Sequence, residues 1–387
     1  MAALADEMIA WRQHLHAHPE FGFEEVATAA FVAARLRAFG LDEVAEGVGG
    51  TGVVGTLRRG RSGRTIALRA EMDALRISEQ GRPQYRSTRP GLMHACGHDG
   101  HTAMLLGAAR LLAEEGGFDG TVRFVFQPAE EWGQGALAML ADGLLARFPF
   151  DGIFGLHNMP GLPLGVVATR PGAIMSAEDN FEIVLEGVGG HASRPDAGRE
   201  TMVAGCALVL ALQAIVARGL DPAEAAVVSV TEFITDGTRN VLPGRAAIRG
   251  DVRSFSPEVS AAIEAQMRRI AAGIAGTHGV AAAVAYSREF VPLLNDPAAT
   301  AEVLAVARRL FGPARAVTAT APATASEDFA RFLAHVPGCF AFLGSGETAP
   351  PLHNPSYDFP DAILLDGARL HAAVARRYLA AGPATPG

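Results

Sequence analysis

The sequence predicts an α/β protein built from two domains, one of them inserted into the other. Over the first half of the chain, helix-like stretches alternate with short β-branched or aromatic runs, which is typical of a layered fold with a mostly parallel sheet. From about residue 179 the order changes to β-α-β-β-α-β, the order of a ferredoxin-like unit. The first pattern resumes after residues 291–297. We therefore predict a discontinuous domain of residues 1–178 and 290–387 and an inserted domain of residues 179–289.

The elements of the first domain follow from local composition. The opening stretch carries Asp6 and Glu7 among apolar residues and has no basic leader, so it predicts a short amphipathic helix and not a secretory signal. Further helices are expected at residues 24–39 and 101–115, and strands at residues 64–73 and 120–127.

The glycines of GVGGTG, residues 47–52, match the G-x-G-x-x-G pattern of dinucleotide sites. A strand-like run follows them where a helix is needed, and no strand is expected before them. The pattern therefore predicts a hairpin turn and not a phosphate cradle.

The inserted domain shows apolar alternation in four stretches and helical periodicity in two. Strands are expected at residues 181–188, 225–234, 245–255 and 280–290, and helices at residues 199–219 and 257–276.

Composition excludes several classes of protein. A chain of 387 residues that is 49% hydrophobic is expected to be soluble and globular, and its net charge of −8 argues against a nucleic-acid face. It lacks the eighteen consecutive apolar residues of a membrane span. Three cysteines are too few for a disulfide framework and fit a reducing cytoplasm. All 33 basic residues are arginine, which excludes chemistry that needs a lysine amine. A small-molecule partner is expected.

Metal-capable side chains are concentrated in HACGHDGH, residues 94–101, which holds three histidines, an aspartate and a thiol. One loop cannot supply every ligand of a metal site, but companions exist. Glu130 and Glu131 follow a strand-like run, His157 ends another, and His353 lies in a proline-bounded loop. Together with the thiol of Cys96 they supply thiolate, imidazole and carboxylate ligands, which suit two divalent metals with a positioned water.

The adjacent glutamates suggest a division of labour. One carboxylate can hold a metal while its neighbour takes a proton from the attacking water. Asp73, at the end of RAEMDAL, is a candidate to fix a ligand imidazole. A redox role for Cys96 lacks a nearby second cysteine. A nucleophilic Cys96 with His98 or His353 as its base stays open, although it leaves both glutamates unexplained.

Nine motifs occur in an order shared with a known family: HLHAHPE, RAEMDAL, HACGHDGH, QPAEE, GLH, GGHASRP, RNVLP, SEDFA and LHNPSYDF. The chain resembles the metal-dependent aminoacylase and hippurate hydrolase family, relatives of glutamate carboxypeptidase and the auxin-conjugate hydrolases. The resemblance covers nearly the whole chain and implies a zinc-peptidase-like catalytic domain. It implies Glu130 as general base and two metals, zinc or manganese, with cobalt or nickel also suited to the donors. The implied ligands are Cys96 as the bridge, His98, Glu131, His157 and His353.

The same resemblance implies a homodimer formed through the inserted domain. His191 of the GGH motif would reach the active site of the neighbouring subunit and stabilise the developing oxyanion. Asn240 and Arg253 would contact the polar backbone and free carboxylate of the substrate. The chain departs from the family pattern at three positions that bear on substrate recognition: Glu71, Asp196 and Gly244 stand where aspartate, histidine and aspartate are common.

The expected function is hydrolysis of the amide of an N-acyl amino acid by attack of a metal-bound water, releasing a carboxylic acid and a free amino acid. Two other classes stay open. One is a dipeptidase or aminopeptidase on the same site, and the other is a non-catalytic protein that binds amino-acid conjugates.

Overall fold

The computed structural model describes residues 1–319 and 321–380, which form two compact units. The first unit comprises the described residues of Met1–Ile174, Leu294–Ala321 and Glu327–Gly387. The second comprises Met175–Leu293 and Pro322–Ser326. The chain thus leaves the first unit after Ile174 to build most of the second, returns at Leu294, and contributes the short segment Pro322–Ser326 to the second unit before it returns again.

The helices are α1 Ala2–Ala17, α2 Val26–Ala38, α3 His98–Glu115, α4 Gly135–Ala141, α5 Leu144–Arg147, α6 Thr201–Leu212, α7 Ala214–Gly219, α8 Pro257–His278, α9 Pro297–Phe311, α10 Ala330–Leu333 and α11 Leu364–Ala380. The strands are β1 Glu43–Val48, β2 Gly52–Arg59, β3 Thr65–Glu71, β4 Gly120–Gln127, β5 Ile153–Met159, β6 Val167–Thr169, β7 Gly172–Met175, β8 Ala177–Glu186, β9 Gly190–His191, β10 Ala226–Thr235, β11 Val241–Leu242, β12 Arg245–Ser254, β13 Ala281–Phe290, β14 Leu293–Asn295, β15 Ala316–Thr318 and β16 Gly338–Gly344.

A large mixed sheet organises the first unit. Among the described residues its strand order is β1-β2-β4-β3-β5-β16-β6-β15. The central strands β4, β3, β5 and β16 run parallel to one another, while β1, β2 and β6 add antiparallel pairings. The four central strands are almost wholly buried, because a parallel sheet is covered on both faces. This confirms a mixed α/β fold around a large, centrally parallel sheet.

The parallel strands bring several chain segments to one edge of the sheet. Strand β3 ends at Glu71, β4 ends at Gln127, and β5 carries His157 two residues before its end at Met159. In a parallel sheet these carboxyl ends share an edge, where α/β proteins bind their ligands. The loops that hold the candidate functional residues therefore meet there.

The structure differs from the local predictions at three places. The glycines after residue 46 form the predicted hairpin turn, but β1 precedes them, so the expectation of no preceding strand is wrong. That strand lies at the sheet edge and is rich in exposed glutamate, which hides its apolar signal. Helix α3 begins three residues earlier than expected, at His98. The helix expected over residues 199–219 is interrupted at Gln213 and forms α6 and α7.

The second unit contains β8, α6, α7, β10, β12, α8 and β13 in that order, with the short pair β9 and β11 between them. Its antiparallel sheet has the order β10-β12-β8-β13. Helices α6 and α8 pack on one face through Leu208, Ile263 and Met267. Helix α8 starts firmly, because the Ser256 side chain accepts the Val259 N–H and Pro257 occupies the first turn.

None of the helices within residues 1–319 and 321–380 combines the length and apolar character needed to cross a membrane.

Candidate metal centre

A glycine with left-handed backbone geometry lies between the first two candidate ligands, Cys96 and His98. Gly97 has φ of 92° and caps the N-terminus of α3, which begins at His98. The turn brings Cys96, His98 and His157 together, with one potential ligand atom of each within 4.8 Å of the others. Cys96 Sγ lies 3.4 Å from His157 Nε2. The thiol of Cys96 and the imidazoles of His98 and His157 are all buried.

A residue with a strained backbone, Ala129, connects the end of β4 to the paired glutamates. Ala129 adopts the left-handed region with φ of 45°, which is costly for a residue with a Cβ, and its N–H donates to the buried Glu25 at 2.8 Å. The short helical turn that follows presents Glu130 and Glu131 beside His98, with potential ligand atoms within 4.8 Å of one another. The hydrogen bond to Glu25 therefore stabilises the strained backbone of Ala129.

Asp73 fixes the ring of His98. The Nδ1–H of His98 lies 2.9 Å from the Asp73 carbonyl oxygen and 3.1 Å from Oδ1, which leaves Nε2 free. Asp73 Oδ2 accepts the N–H of Glu131 at 3.0 Å. His157 is fixed in the same way, because its Nδ1–H donates to the Asn158 carbonyl at 2.7 Å. Both imidazoles thus keep Nε2 for a ligand.

His353 completes the cluster from a third segment. Its φ of 64° is left-handed, and its N–H donates to the Ala95 carbonyl at 2.9 Å. His353 Nε2 lies 3.4 Å from Glu131 Oε2, and these two residues and Cys96 form another group with potential ligand atoms within 4.8 Å. The structure therefore brings all five predicted ligands together.

The cluster carries an excess of negative groups. Burial, together with Glu327, Glu131 and other carboxylates, raises the pKa of Glu130 well above its usual range. Burial and the two glutamates likewise raise the pKa of the Cys96 thiol. Burial opposes charge on His98, but Asp73 outweighs it and raises the pKa of that imidazole to about 9. Divalent cations would offset this field and favour the thiolate.

The donor set fits divalent metals. Among the described residues, the buried His98 Nε2 and Glu131 Oε1 have no hydrogen-bond partner. Buried polar atoms are rarely left without one, so these two atoms point to a bound group. Thiolate, imidazole and carboxylate suit zinc and its transition-metal neighbours.

A buried arginine network adjoins the cluster and was not predicted. Arg69, fully buried in β3, donates to Gln127 and Glu327 at 2.8 Å and to Asp328 at 2.9 Å, and also binds Glu71. Glu327 and Asp328 each place an oxygen within 4.8 Å of one on Glu130. Glu327 and Asp328 belong to the SEDFA motif, which is the sequence signal for this network.

The other three predicted residues belong to the second unit. His191 is exposed on β9 and pairs with Val241 of β11, and the neighbouring Ala192 N–H donates to the Asn240 carbonyl at 3.0 Å. His191 and Asn240 thus lie on one small hairpin-like pair. Arg253 lies on β12 and is already bound, to Glu178 at 2.8 Å, Asp251 at 2.9 Å and Ser326 Oγ at 2.9 Å.

Comparison with known proteins agrees with the geometry. The sequence profile described as peptidase family M20/M25/M40 matches residues 67–377. The chain belongs to this family. It is 39% identical over 368 residues to a hippurate hydrolase of Campylobacter jejuni, covering 95% of each chain. It is 36% identical to an N-acetyl-L-cysteine deacetylase of Bacillus subtilis, covering 98% of this chain and 90% of that protein.

A solved relative has the same fold. The crystal structure of a dinuclear metal-binding peptidase of family M20 from Bacillus subtilis superposes with a TM-score of 0.86 at 32% identity, covering 97% of this chain and 98% of that one. The resemblance drawn from the nine motifs is confirmed.

Proposed function

We propose that this protein is a metal-dependent amidohydrolase that cleaves N-acyl amino acids into a carboxylic acid and a free amino acid. The observation that carries the proposal is a buried glutamate, Glu130, that lies beside the proposed metal ligands, with a carboxylate oxygen within 4.8 Å of potential ligand atoms of His98 and Glu131. Hippurate hydrolase and N-acetyl-L-cysteine deacetylase, the two relatives named above, are named for substrates of this class.

The proposed ligands of two divalent metals are Cys96 as the bridge, His98, Glu131, His157 and His353. Zinc or manganese is proposed, and cobalt and nickel suit the same donors. When bound, the ions supply Lewis acidity, which polarises a carbonyl and lowers the pKa of water to ~7. Asp73 keeps His98 in the tautomer that binds through Nε2.

Glu130 is the proposed general base. It takes a proton from the attacking water and later delivers it to the leaving nitrogen. A carboxylate does both best when its pKa lies close to the working pH, and burial moves the pKa of Glu130 in that direction. The Asp328 N–H, 3.4 Å from Glu130 Oε1, helps to hold the side chain in position.

Residues 179–289 are proposed to be an inserted ferredoxin-like domain through which a homodimer forms. Strand β10 lies at the edge of its sheet and exposes Val227 and Ile234. Helix α6 exposes Met202, Val203 and Leu210, the last with 74% of its surface accessible. An open strand edge beside an exposed apolar helix is the kind of surface that a second copy covers.

In such a dimer, His191 of the partner subunit is proposed to stabilise the oxyanion of the tetrahedral intermediate. The exposure of His191 on β9 is consistent with a role in the active site of another subunit. Asn240 and Arg253 are proposed to bind the polar backbone and carboxylate of the substrate. Arg253 already binds Glu178 and Asp251, so a substrate carboxylate would share or compete for its guanidinium with them.

A cytoplasmic location is proposed. Cys96, Cys206 and Cys339 are all free thiols, which a reducing compartment preserves.

The activity test uses metal-stripped protein with zinc or manganese added back. Amino-acid release is measured from acetyl-, benzoyl- and longer-acyl amino acids and from free dipeptides. We expect metal-dependent release from the acylated substrates, and none from Glu130→Gln. Release from dipeptides alone would assign the protein to the dipeptidases or aminopeptidases. Bound metal with no hydrolysis of any substrate would indicate a binding protein.

The shared site has its own test. His191→Ala and Glu130→Gln subunits, each inactive alone, are mixed and allowed to exchange. Partial activity should return, because a mixed dimer contains one site with both residues intact. Mixed dimers without activity would contradict a site shared between subunits.

A further inference from the structure

A chain of buried polar side chains links the segments that carry the candidate ligands. Glu71 Oε2 lies 2.8 Å from His101 Nδ1, and the side-chain amide of Asn158 lies 2.5 Å from His101 Nε2. The same amide lies 2.6 Å from the hydroxyl of Tyr357. All four side chains are at most 1% exposed. We call Glu71, His101, Asn158 and Tyr357 the buried chain.

Three members of the buried chain stand close in sequence to a proposed ligand. His101 follows His98 by one turn of α3, and Asn158 comes directly after His157 in β5. Tyr357 lies four residues after His353, in the same loop. Hydrogen bonds along the buried chain therefore join the three segments from which the imidazole ligands come.

The buried chain lies beside the candidate metal ligands, but the atoms of His101 that could bind a metal are already hydrogen-bonded. Glu71 and His101 lie near His98, with potential ligand atoms within 4.8 Å, yet both ring nitrogens of His101 are engaged. Nδ1–H donates to Glu71, and Nε2 accepts the backbone N–H of Asn158 at 3.0 Å. The NH₂ group of Asn158 donates to the Tyr357 hydroxyl at 2.6 Å, so this amide links the ring of His101 to Tyr357.

The buried chain is anchored at Glu71 and closely packed at Asn158. Glu71 also binds Arg69, whose other donors are held by Gln127, Glu327 and Asp328. The Asn158 amide packs directly on the ligand-bearing turn, because a Cβ at Gly97 would come within 2.3 Å of its Oδ1. A shift of Asn158 is therefore transmitted to the turn between Cys96 and His98.

We propose that Glu71, His101, Asn158 and Tyr357 are positioning residues that hold the three ligand-bearing segments at the spacing two metal ions need. The inference rests on the proposed metal-dependent function and adds residues that do not touch metal or substrate. Outer hydrogen bonds of this kind typically change metal affinity by about 10- to 100-fold when they are removed.

The test measures metal binding and not turnover. Metal-free protein is titrated with zinc against a chelator, and the visible thiolate band of the cobalt-loaded protein is recorded. Tyr357→Phe removes only the hydroxyl, and Asn158→Leu removes the amide at similar volume. Tyr286→Phe is the control, because it removes a hydroxyl that donates to Asp179 at 2.6 Å in the second unit. Unfolding of each metal-free variant is followed to choose a temperature at which all are folded.

We expect zinc affinity to fall about 10-fold in Tyr357→Phe and about 100-fold in Asn158→Leu, with the cobalt band displaced in both and unchanged in Tyr286→Phe. The double variant should bind no more weakly than Asn158→Leu, because both substitutions break the same chain. Should Asn158→Leu fail to fold, Tyr357→Phe alone decides. Wild-type affinity and spectrum in that variant would overturn the positioning role and leave the metal site intact. A wild-type protein that binds neither ion would overturn both proposals.

Discussion

His16 gives the first unit a stability that depends on pH. It lies fully buried in the last turn of α1, with Nδ1 2.9 Å from Asp99 Oδ2 and Nε2 3.4 Å from Glu79 Oε1. Arg12, one turn earlier, approaches the same Asp99 oxygen to 3.8 Å. Burial opposes a charge on His16, but the two carboxylates outweigh it and raise the pKa of the imidazole from 6.5 to about 9.

The raised pKa fixes both the size and the sign of the effect. Binding a proton more tightly in the folded state, at a pKa of about 9 against 6.5 in the unfolded chain, is equivalent to about 3 kcal/mol of folding free energy. This stabilisation is present in full below about pH 6.5 and is lost as the pH rises through about 9. His16→Gln should therefore destabilise the protein most near pH 6 and least above pH 9.

The assay is urea unfolding of metal-free protein at pH 6, 7.5 and 9. Both tryptophans, Trp11 and Trp132, belong to the first unit, so their fluorescence reports its unfolding. His18→Gln removes an exposed histidine from the end of the same helix and serves as the control. The difference in the free energy of unfolding between wild type and His16→Gln should shrink as the pH rises. A difference that stays constant with pH, or grows as the pH rises, would refute the ion-pair argument.

Four further substitutions are expected to separate metal binding, catalysis, packing and self-association. Cys96→Ser should lower the metal retained after gel filtration while Cys339→Ser, another buried thiol, retains it; equal retention would count against ligation. Glu130→Gln should bind metal normally while turnover falls by about 10²- to 10⁴-fold, and near-native rates would remove the base assignment. Leu208→Ala, buried on α6, should lower the free energy of unfolding by about 2–5 kcal/mol. Leu210→Ala, exposed on the same helix, should instead weaken self-association in sedimentation, and an unchanged dimer would exclude that face.

Local sequence signals predict the buried strands and the candidate ligands well. Residues 120–127 are predicted as a strand and form β4 with those limits, because β-branched and aromatic residues are frequent in this stretch. The five predicted ligands converge because strand ends of a parallel sheet share an edge. Local composition offers the candidate donors, and the family resemblance carried by the nine motifs implies which five of them are ligands.

Features that depend on distant partners could not be predicted. Arg69 looks like a polar interruption of a strand, and its partner Glu327 lies 258 residues further along the chain. Strand β1 is exposed and acidic, so pairing with β2 and not its own composition makes it a strand. The break at Gln213 is equally hidden, because the residues on both sides of it are good helix formers.

The discontinuity of the first unit has a consequence for synthesis on the ribosome. Strand β16 lies between β5 and β6, so the large sheet has a gap until residues Gly338–Gly344 emerge. The second unit is nearly contiguous and can fold while that gap is open, since domains fold as units during translation. A nascent chain must therefore keep the apolar strands of its first half from aggregating through most of its elongation. His353 emerges later still, so the five proposed ligands can act together on a metal only after that residue has been made.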